Sequence, residues 1–124
     1  MAKDGAKTIK ALFIGTPRYA AEIFEALALS PALKEYGINW VGLLCSPDKP
    51  MGRKQELFSP PTKMVAARYA IPVFQPEHAL DDAFLEELRK IKPDIMVMCA
   101  YGKILPKEIL AMAKHGIINI HYSM

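Results

Sequence analysis

The chain closes with the segment Gly116-Ile117-Ile118-Asn119-Ile120-His121-Tyr122-Ser123-Met124. A glycine followed by an apolar run is typical of a buried strand that enters a sheet. Because side chains alternate between the two faces of a strand, Asn119, His121 and Ser123 should lie on one face. An amide and an imidazole buried beside isoleucines cost roughly 1–3 kcal/mol each without partners, so we expect these groups to face a cleft or a polar network.

The pair Asn119-x-His121 suits acyl chemistry. A carboxamide N–H can donate a hydrogen bond to a developing oxyanion, and an imidazole can pass a proton. Together the two groups indicate a reaction through a tetrahedral intermediate. The alternative is a polar strand end whose side chains bond to neighbouring loops, and the pair alone does not decide between these interpretations.

Four more apolar segments precede this strand, and they cover residues 9–14, 38–45, 73–74 and 94–100. Helical patterns separate them. Thr16-Pro17 and Ser59-Pro60 each predict a helix start with a capping residue before a proline, the second helix running to about residue 70, while Ser30-Pro31 favours a break. The clearest helix covers residues 80–92, where acidic residues come first and basic residues last. A short helix is predicted over residues 106–114.

Alternation of strands and helices predicts an α/β fold, a Rossmann-like, doubly wound and mainly parallel sheet with right-handed crossovers. Ligands of such sheets bind beyond the carboxyl ends of the strands. Here those ends are Gly15-Thr16, Ser46-Pro47, Tyr101-Gly102 and residues 119–123.

Two common nucleotide sites are not indicated. The turn after the first strand reads Gly15-Thr16-Pro17-Arg18, without the further glycines that admit a pyrophosphate, and no P-loop motif is present.

Residues 46–58 form a polar loop that is long for a connection between strand and helix, and such loops often serve binding. This loop carries Lys49, Arg53 and Lys54 against Asp48 and Glu56.

Composition is that of an ordinary globular domain: 124 residues, 52% hydrophobic and 23% charged, with a net charge of +3. That charge is too small to require a nucleic-acid partner by itself. No apolar run reaches the ~18–20 residues of a membrane span, and the first residues lack the apolar core of a signal peptide, so a cytoplasmic location is expected.

Cys45 and Cys99 lack metal-ligand spacing and are expected to be buried free thiols, with no disulfide and no metal.

Four segments together resemble the N-terminal half of the folate-dependent formyltransferases, and most closely the members that formylate methionyl initiator tRNA. They are Phe13-Ile-Gly-Thr-Pro17, Ser46-Pro-Asp-Lys-Pro-Met-Gly-Arg53, Phe74-Gln-Pro76 and Ala100-Tyr-Gly-Lys-Ile-Leu-Pro106. Asn119-Ile-His121 follows them in the order the family has. This ordered combination, over residues 9–124, is far more specific than any single piece.

The resemblance implies transfer of a formyl group from 10-formyltetrahydrofolate, as cosubstrate, to the amino group of methionine on initiator tRNA. Asn119 would hold the developing oxyanion and His121 would polarise or shuttle protons. The implied substrate-binding residues are Gly15, Thr16, Pro17, Tyr101, Gly102 and Ser123, although Ser123 is equally well explained as a cap on the next loop. Lys49, Arg53 and Lys54 would contact tRNA, and the alternative for their loop is a solvated, mobile segment.

The resemblance also implies the domain organisation. Residues 1–8 would be a flexible N-terminus and residues 9–124 an incomplete N-terminal formyltransferase domain. The family's catalytic aspartate, the rest of its folate pocket and its C-terminal domain would lie beyond Met124. The chain would then be an inactive N-terminal fragment of a monomeric cytoplasmic enzyme with no membrane contact. Alternatives are a sugar-nucleotide or purine-precursor formyltransferase, a formyltetrahydrofolate hydrolase, or a non-catalytic truncated module.

The resemblance implies a strand order of 3-2-1-4-5 in the sheet. That order puts Cys45 and Cys99 on strands two apart. At ~10 Å their backbones would be beyond the ~7 Å limit for a disulfide.

Overall fold

The computed structural model describes residues 8–121. Its elements in chain order are β1 (Ile9–Gly15), α1 (Arg18–Leu29), α2 (Pro31–Glu35), β2 (Ile38–Leu44), β3 (Lys49–Met51), β4 (Glu56–Phe58), α3 (Pro61–Arg68), β5 (Val73–Phe74), α4 (Asp82–Ile91), β6 (Ile95–Cys99), α5 (Lys107–Leu110) and β7 (Ile117–Asn119). Within the described range, none of the helices has the length and apolar character that crossing a bilayer requires. Residues 1–7 of the predicted N-terminus, and Ser123, lie outside that range.

Five of the strands form one parallel sheet in the order β5-β2-β1-β6-β7. This confirms both the α/β fold and the predicted order 3-2-1-4-5. The central strand β1 is apolar on both faces because helices cover the sheet on both sides. Phe13 packs into one core cluster, while Leu12 and Ile14 pack into another. All three side chains are fully buried.

Helix boundaries depart from the sequence prediction at four places. The predicted break at Ser30-Pro31 is confirmed, because α1 ends at Leu29, but a further helix, α2, begins directly after it, and the Ser30 hydroxyl caps α2 by accepting a hydrogen bond from the Leu33 N–H at 3.2 Å. Helices α1 and α3 are preceded by Pro17 and Pro60, neither of which can cap with a side chain, so the predicted caps Thr16 and Ser59 do not cap. Helix α5 is shorter than the predicted 106–114.

Helix α4 is confirmed almost to its predicted ends. The Asp81 carboxylate accepts hydrogen bonds from the N–H groups of Ala83 and Phe84, and Leu88 is fully buried. Lys92 closes the helix with a left-handed φ of 53°. The acidic start and the basic end of this segment therefore predicted the helix correctly, and the structure adds that Asp81 is its capping residue.

The predicted loop over residues 46–58 is wrong in part, because it contains an antiparallel hairpin. Strand β3 pairs with β4 so that Lys49 faces Phe58 and Met51 faces Glu56. Gly52, with a φ of 77°, lies in the turn and adopts a conformation that other residues resist. Charged and apolar residues mix on both strands, which hid the strand pattern in the sequence.

Strand β7 is less buried than its apolar run predicts. Ile118 and Asn119 are both exposed, and only Ile117 is partly buried. Within the described residues β7 pairs with β6 alone and forms an edge of the sheet. The expectation of a buried strand is therefore wrong for Ile118 and Asn119.

The two cysteines are free and buried, as predicted. Cys99 ends β6 and Cys45 follows β2, and these two strands flank β1 on opposite sides. Burial raises the pKa of the Cys45 thiol to about 11, although a hydrogen bond with the Thr62 hydroxyl opposes the rise. Burial also raises the pKa of Cys99.

We expect the free energy of unfolding to fall between pH 9 and pH 11, in part because of Cys45. Below pH ~8.5 the thiol is neutral in both the folded and the unfolded protein, so its burial does not reduce the free energy of unfolding. Above that, the unfolded thiol ionises while the buried one stays protonated, which costs up to about 2–3 kcal/mol of stability. Urea unfolding at pH 8, 9.5 and 11 should show a smaller decline for Cys45→Ala than for the unaltered protein, whereas equal declines would contradict this account.

Candidate active site

Three loops meet at the carboxyl edge of the sheet, and one carbonyl oxygen joins them. The carbonyl of Tyr101 accepts hydrogen bonds from the hydroxyls of Thr16, at 2.8 Å, and Ser46, at 3.1 Å. The Ser46 N–H donates to the Thr16 hydroxyl at 3.2 Å. Ser46 is buried. The hydroxyl of Thr16, a predicted substrate-binding residue, thus fixes the loops that follow β1, β2 and β6.

Gly15 allows β1 and β6 to approach each other at this edge. A Cβ atom at Gly15 would lie 2.6 Å from the Cys99 carbonyl oxygen and 2.9 Å from the Phe13 ring. No larger residue fits there without a shift of the backbone. The Gly15 carbonyl also accepts a hydrogen bond from the buried Thr62 hydroxyl at 2.8 Å. Close packing therefore accounts for this predicted site residue.

A cavity of ≈ 290 Å³ lies beside these loops at the ends of β6 and β7. Its lining brings together three of the predicted site residues, Tyr101, Asn119 and His121, with Tyr19, Met98, Ala100, Lys103 and Ile120. Gly15, Thr16, Pro17 and Gly102 do not line it. The carboxyl-edge position agrees with the usual place of ligands in this class of sheet.

Asn119 and His121 lie on the same side of the strand end, as alternation predicts. Asn119 Nδ2 and His121 Nε2 are 3.5 Å apart, and both residues are exposed. No carboxylate is hydrogen-bonded to the imidazole within residues 8–121. An amide donor and an imidazole at a cavity wall can stabilise negative charge on an oxygen and move a proton next to it.

Tyr101 combines a cavity position with a buried side chain. It is 2% exposed, and its hydroxyl has no hydrogen-bond partner within residues 8–121. Burial raises the pKa of this phenol, and the nearby Cys45 adds to the rise. The hydroxyl is therefore protonated at neutral pH, and its donor has no acceptor within residues 8–121.

Sequence reasoning missed five residues of the cavity lining, and two of them, Tyr19 and Lys103, carry polar groups. Tyr19 lies in the first turn of α1, two residues after the predicted Pro17. Lys103 directly follows Gly102, and its ammonium group donates to the Glu77 carbonyl at 2.7 Å. Adjacency to predicted site residues was the only signal for either one.

The predicted tRNA-contacting residues all belong to the hairpin β3–β4. Lys49, Arg53 and Lys54 are exposed. Three apolar side chains beside them are also largely exposed: Met51 at 55%, Leu57 at 70% and Phe58 at 51%. The hairpin leaves the carboxyl end of β2, so it projects from the same edge of the sheet as the cavity.

Side chains from two other elements hold the base of the hairpin. Asp48, just before β3, accepts a hydrogen bond from the Gln75 side chain at 2.7 Å and pairs with Lys63 of α3 at 3.3 Å. These contacts lower the pKa of Asp48, the Gln75 hydrogen bond most of all. Within residues 8–121 no group of three or more acidic, histidine or cysteine side chains could hold a metal ion.

Comparison with known proteins relates this chain to one family. The family described as formyl transferase matches residues 9–124. The methionyl-tRNA formyltransferase of Caldicellulosiruptor saccharolyticus is 45% identical over 114 residues, which are 91% of this chain and 35% of that protein. The enzyme of the same name from Wolinella succinogenes is 46% identical over 118 residues, or 94% of this chain and 36% of that protein. The chain spans about a third of the length of these relatives.

Solved structures share the fold at lower identity. Glycinamide ribonucleotide transformylase 1 from Symbiobacterium toebii aligns with a TM-score of 0.67 and 13% identity, over 94% of this chain and 53% of that one. Phosphoribosylglycinamide formyltransferase from Anaplasma phagocytophilum aligns with a TM-score of 0.64 and 22% identity, over 95% and 52% of the two chains. The family match over residues 9–124, together with this shared fold, shows that the chain belongs to the formyl transferase family.

Proposed function

We propose that the protein transfers a formyl group from 10-formyltetrahydrofolate to the amino group of methionine carried by initiator tRNA. One observation carries the proposal: Asn119 and His121 stand together on the wall of a cavity at the carboxyl edge of the sheet. The names of relatives at 45% and 46% identity support the choice of acceptor.

Asn119 and His121 divide the chemistry between them. The bound donor supplies the formyl group. The Asn119 side-chain N–H donates a hydrogen bond to the formyl oxygen, whose negative charge grows as the amine attacks. His121 accepts the proton that the attacking amine must lose and passes it to the N10 nitrogen of the donor, as the bond between that nitrogen and the formyl carbon breaks and tetrahydrofolate leaves. Both groups reach the same small volume because they are two residues apart on one side of a strand end.

The lining of the cavity fits part of a folate. Met98 and Ile120 offer apolar surface for a flat ring, and Asn119, His121 and Lys103 offer polar groups around it. Small-molecule sites commonly combine apolar walls with a few placed polar groups. A volume of ≈ 290 Å³ accepts a ring system rather than the whole molecule.

The hairpin β3–β4 favours an RNA acceptor over a small one. Exposed Lys49, Arg53 and Lys54 attract phosphates, and attraction of this kind dominates affinity for nucleic acids. The exposed Phe58 and Leu57 offer apolar surface to unstacked bases. A sugar nucleotide or a purine precursor would require no such projecting element.

Replacing Asn119 or His121 with alanine should reduce kcat/KM for formylation by about 100-fold or more, because each removes a group that acts on the reacting atoms. The assay uses the protein at its full natural length with 10-formyltetrahydrofolate and methionyl initiator tRNA. Matched controls are Asn39→Ala and His115→Ala, which alter the same residue types at the amino ends of β2 and β7. Normal turnover by the Asn119 and His121 variants would remove both residues from the mechanism.

Replacing Arg53 with alanine should weaken binding of initiator tRNA and leave folate affinity unchanged. If Arg53 contacts one phosphate, the slope of log K against log salt concentration should decrease in magnitude by about 0.9. Filter binding across a salt series measures this slope. Arg89→Ala, an exposed arginine on α4, is the control and should bind tRNA normally. An unaltered slope and affinity for Arg53→Ala would exclude the hairpin tip from the RNA site.

We also propose that residues 9–124 form part of a larger catalytic domain. The relatives are about three times as long, and His121 lacks a carboxylate partner within residues 8–121. A general base works poorly unless a neighbour holds and orients it. The 124-residue chain by itself should therefore formylate tRNA at least about 100-fold more slowly than the protein at its full natural length. Equal rates in the same assay would contradict the proposal.

A further inference from the structure

The hairpin β3–β4 has little packing of its own to fix its direction. All six residues of its two strands are exposed. A two-stranded hairpin is marginally stable in water without a layer to pack on. Its direction relative to the sheet therefore depends on the residues at its two ends.

Both ends are anchored through Asp48. Asp48 directly precedes β3 at the entry of the hairpin, and Lys63 lies in the first turn of α3, shortly after its exit. Lys63 Nζ is 3.3 Å from each Asp48 carboxylate oxygen. The ion pair thus closes the base of the hairpin across the two chain segments that support it.

Gln75 connects this base to the sheet and to the site. It directly follows β5, and its side-chain amide donates both to Asp48 Oδ1 at 2.7 Å and to the Ser46 carbonyl at 3.1 Å. Ser46 in turn bonds to Thr16 and to the Tyr101 carbonyl. A continuous series of hydrogen bonds therefore runs from the hairpin base to the loop that lines the cavity.

We propose that Asp48, held by Gln75 and Lys63, is a positioning residue that fixes the hairpin relative to the cavity so that the RNA acceptor meets both at once. This inference rests on the proposed function. Asp48 need not touch the RNA, because Gln75 and Lys63 already hold both of its carboxylate oxygens. Because the Gln75 hydrogen bond and Lys63 lower the pKa of Asp48, its carboxylate stays charged at neutral pH.

The test uses the protein at its full natural length and the variants Asp48→Ala, Asp48→Asn and Lys63→Met. Asp48→Ala should raise KM for methionyl initiator tRNA about tenfold or more, since small displacements of a positioning element are strongly felt. The kcat at saturating tRNA and the dissociation constant for 10-formyltetrahydrofolate should stay near those of the unaltered protein. Asp48→Asn keeps an oxygen for Gln75, and Lys63→Met keeps the hydrogen bond between Gln75 and Asp48, so each should raise KM less than Asp48→Ala does.

Hydrogen exchange provides a readout that is independent of activity. Amides of residues 49–58 should exchange faster in Asp48→Ala, while those of the central strand β1 should not change. Glu86→Ala, which removes an exposed ion pair with Arg89 on α4, is the matched control and should change neither KM nor exchange of the hairpin.

Each outcome decides a separate point. Unchanged hairpin exchange and an unchanged KM in both Asp48→Ala and Lys63→Met would overturn the positioning role while leaving the proposed function in place. A loss of folate affinity and faster exchange of β1 in both variants would assign Asp48 to general stability, which also overturns it. If the unaltered protein formylates no tRNA, the proposed function fails, and the exchange result still decides whether Asp48 fixes the hairpin.

Discussion

The Tyr101 carbonyl oxygen is the acceptor on which the carboxyl edge of this sheet depends. Two hydroxyls, from Thr16 and Ser46, converge on it from the loops after β1 and β2. Strand pairing fixes the strands but leaves their following loops free, so a shared acceptor is needed to hold three loops in one arrangement. The cavity wall and the base of the hairpin both begin at these loops. Substitution at Thr16 or Ser46 would therefore disturb both the cavity wall and the base of the hairpin.

The sheet could be predicted from the sequence because its signals are local and strong. Short apolar runs, each followed by a helical pattern, allow few topologies, and the resemblance selected the order that the structure has. The positions of Cys45 and Cys99 at the ends of two strands on opposite sides of β1 follow from that order. The hairpin and α2 could not be predicted as easily. Their residues are mixed in polarity, and at Ser30-Pro31 the same dipeptide that ends one helix begins the next.

The candidate site could be predicted only in part. Asn119, His121 and Tyr101 do meet at one cavity, because residues at the carboxyl ends of parallel strands share an edge. Gly15 and Thr16 were identified as substrate-binding, and the structure gives both of them contacts that fix the fold. The cluster around Asp48 escaped detection because Gln75 is 27 residues away in the chain, and the pattern of the sequence contains no signal for such a side-chain contact.

The edge formed by β7 has a practical consequence for handling the polypeptide. Its outer backbone groups have no strand partner within residues 8–121, and Ile118 is 51% exposed beside them. A flat, apolar edge is a template for another strand, whether from elsewhere in the polypeptide or from a second molecule. Concentrated preparations of residues 1–124 alone would carry an aggregation hazard at this edge, and a charged residue at position 118 would be the natural substitution for improving their solubility.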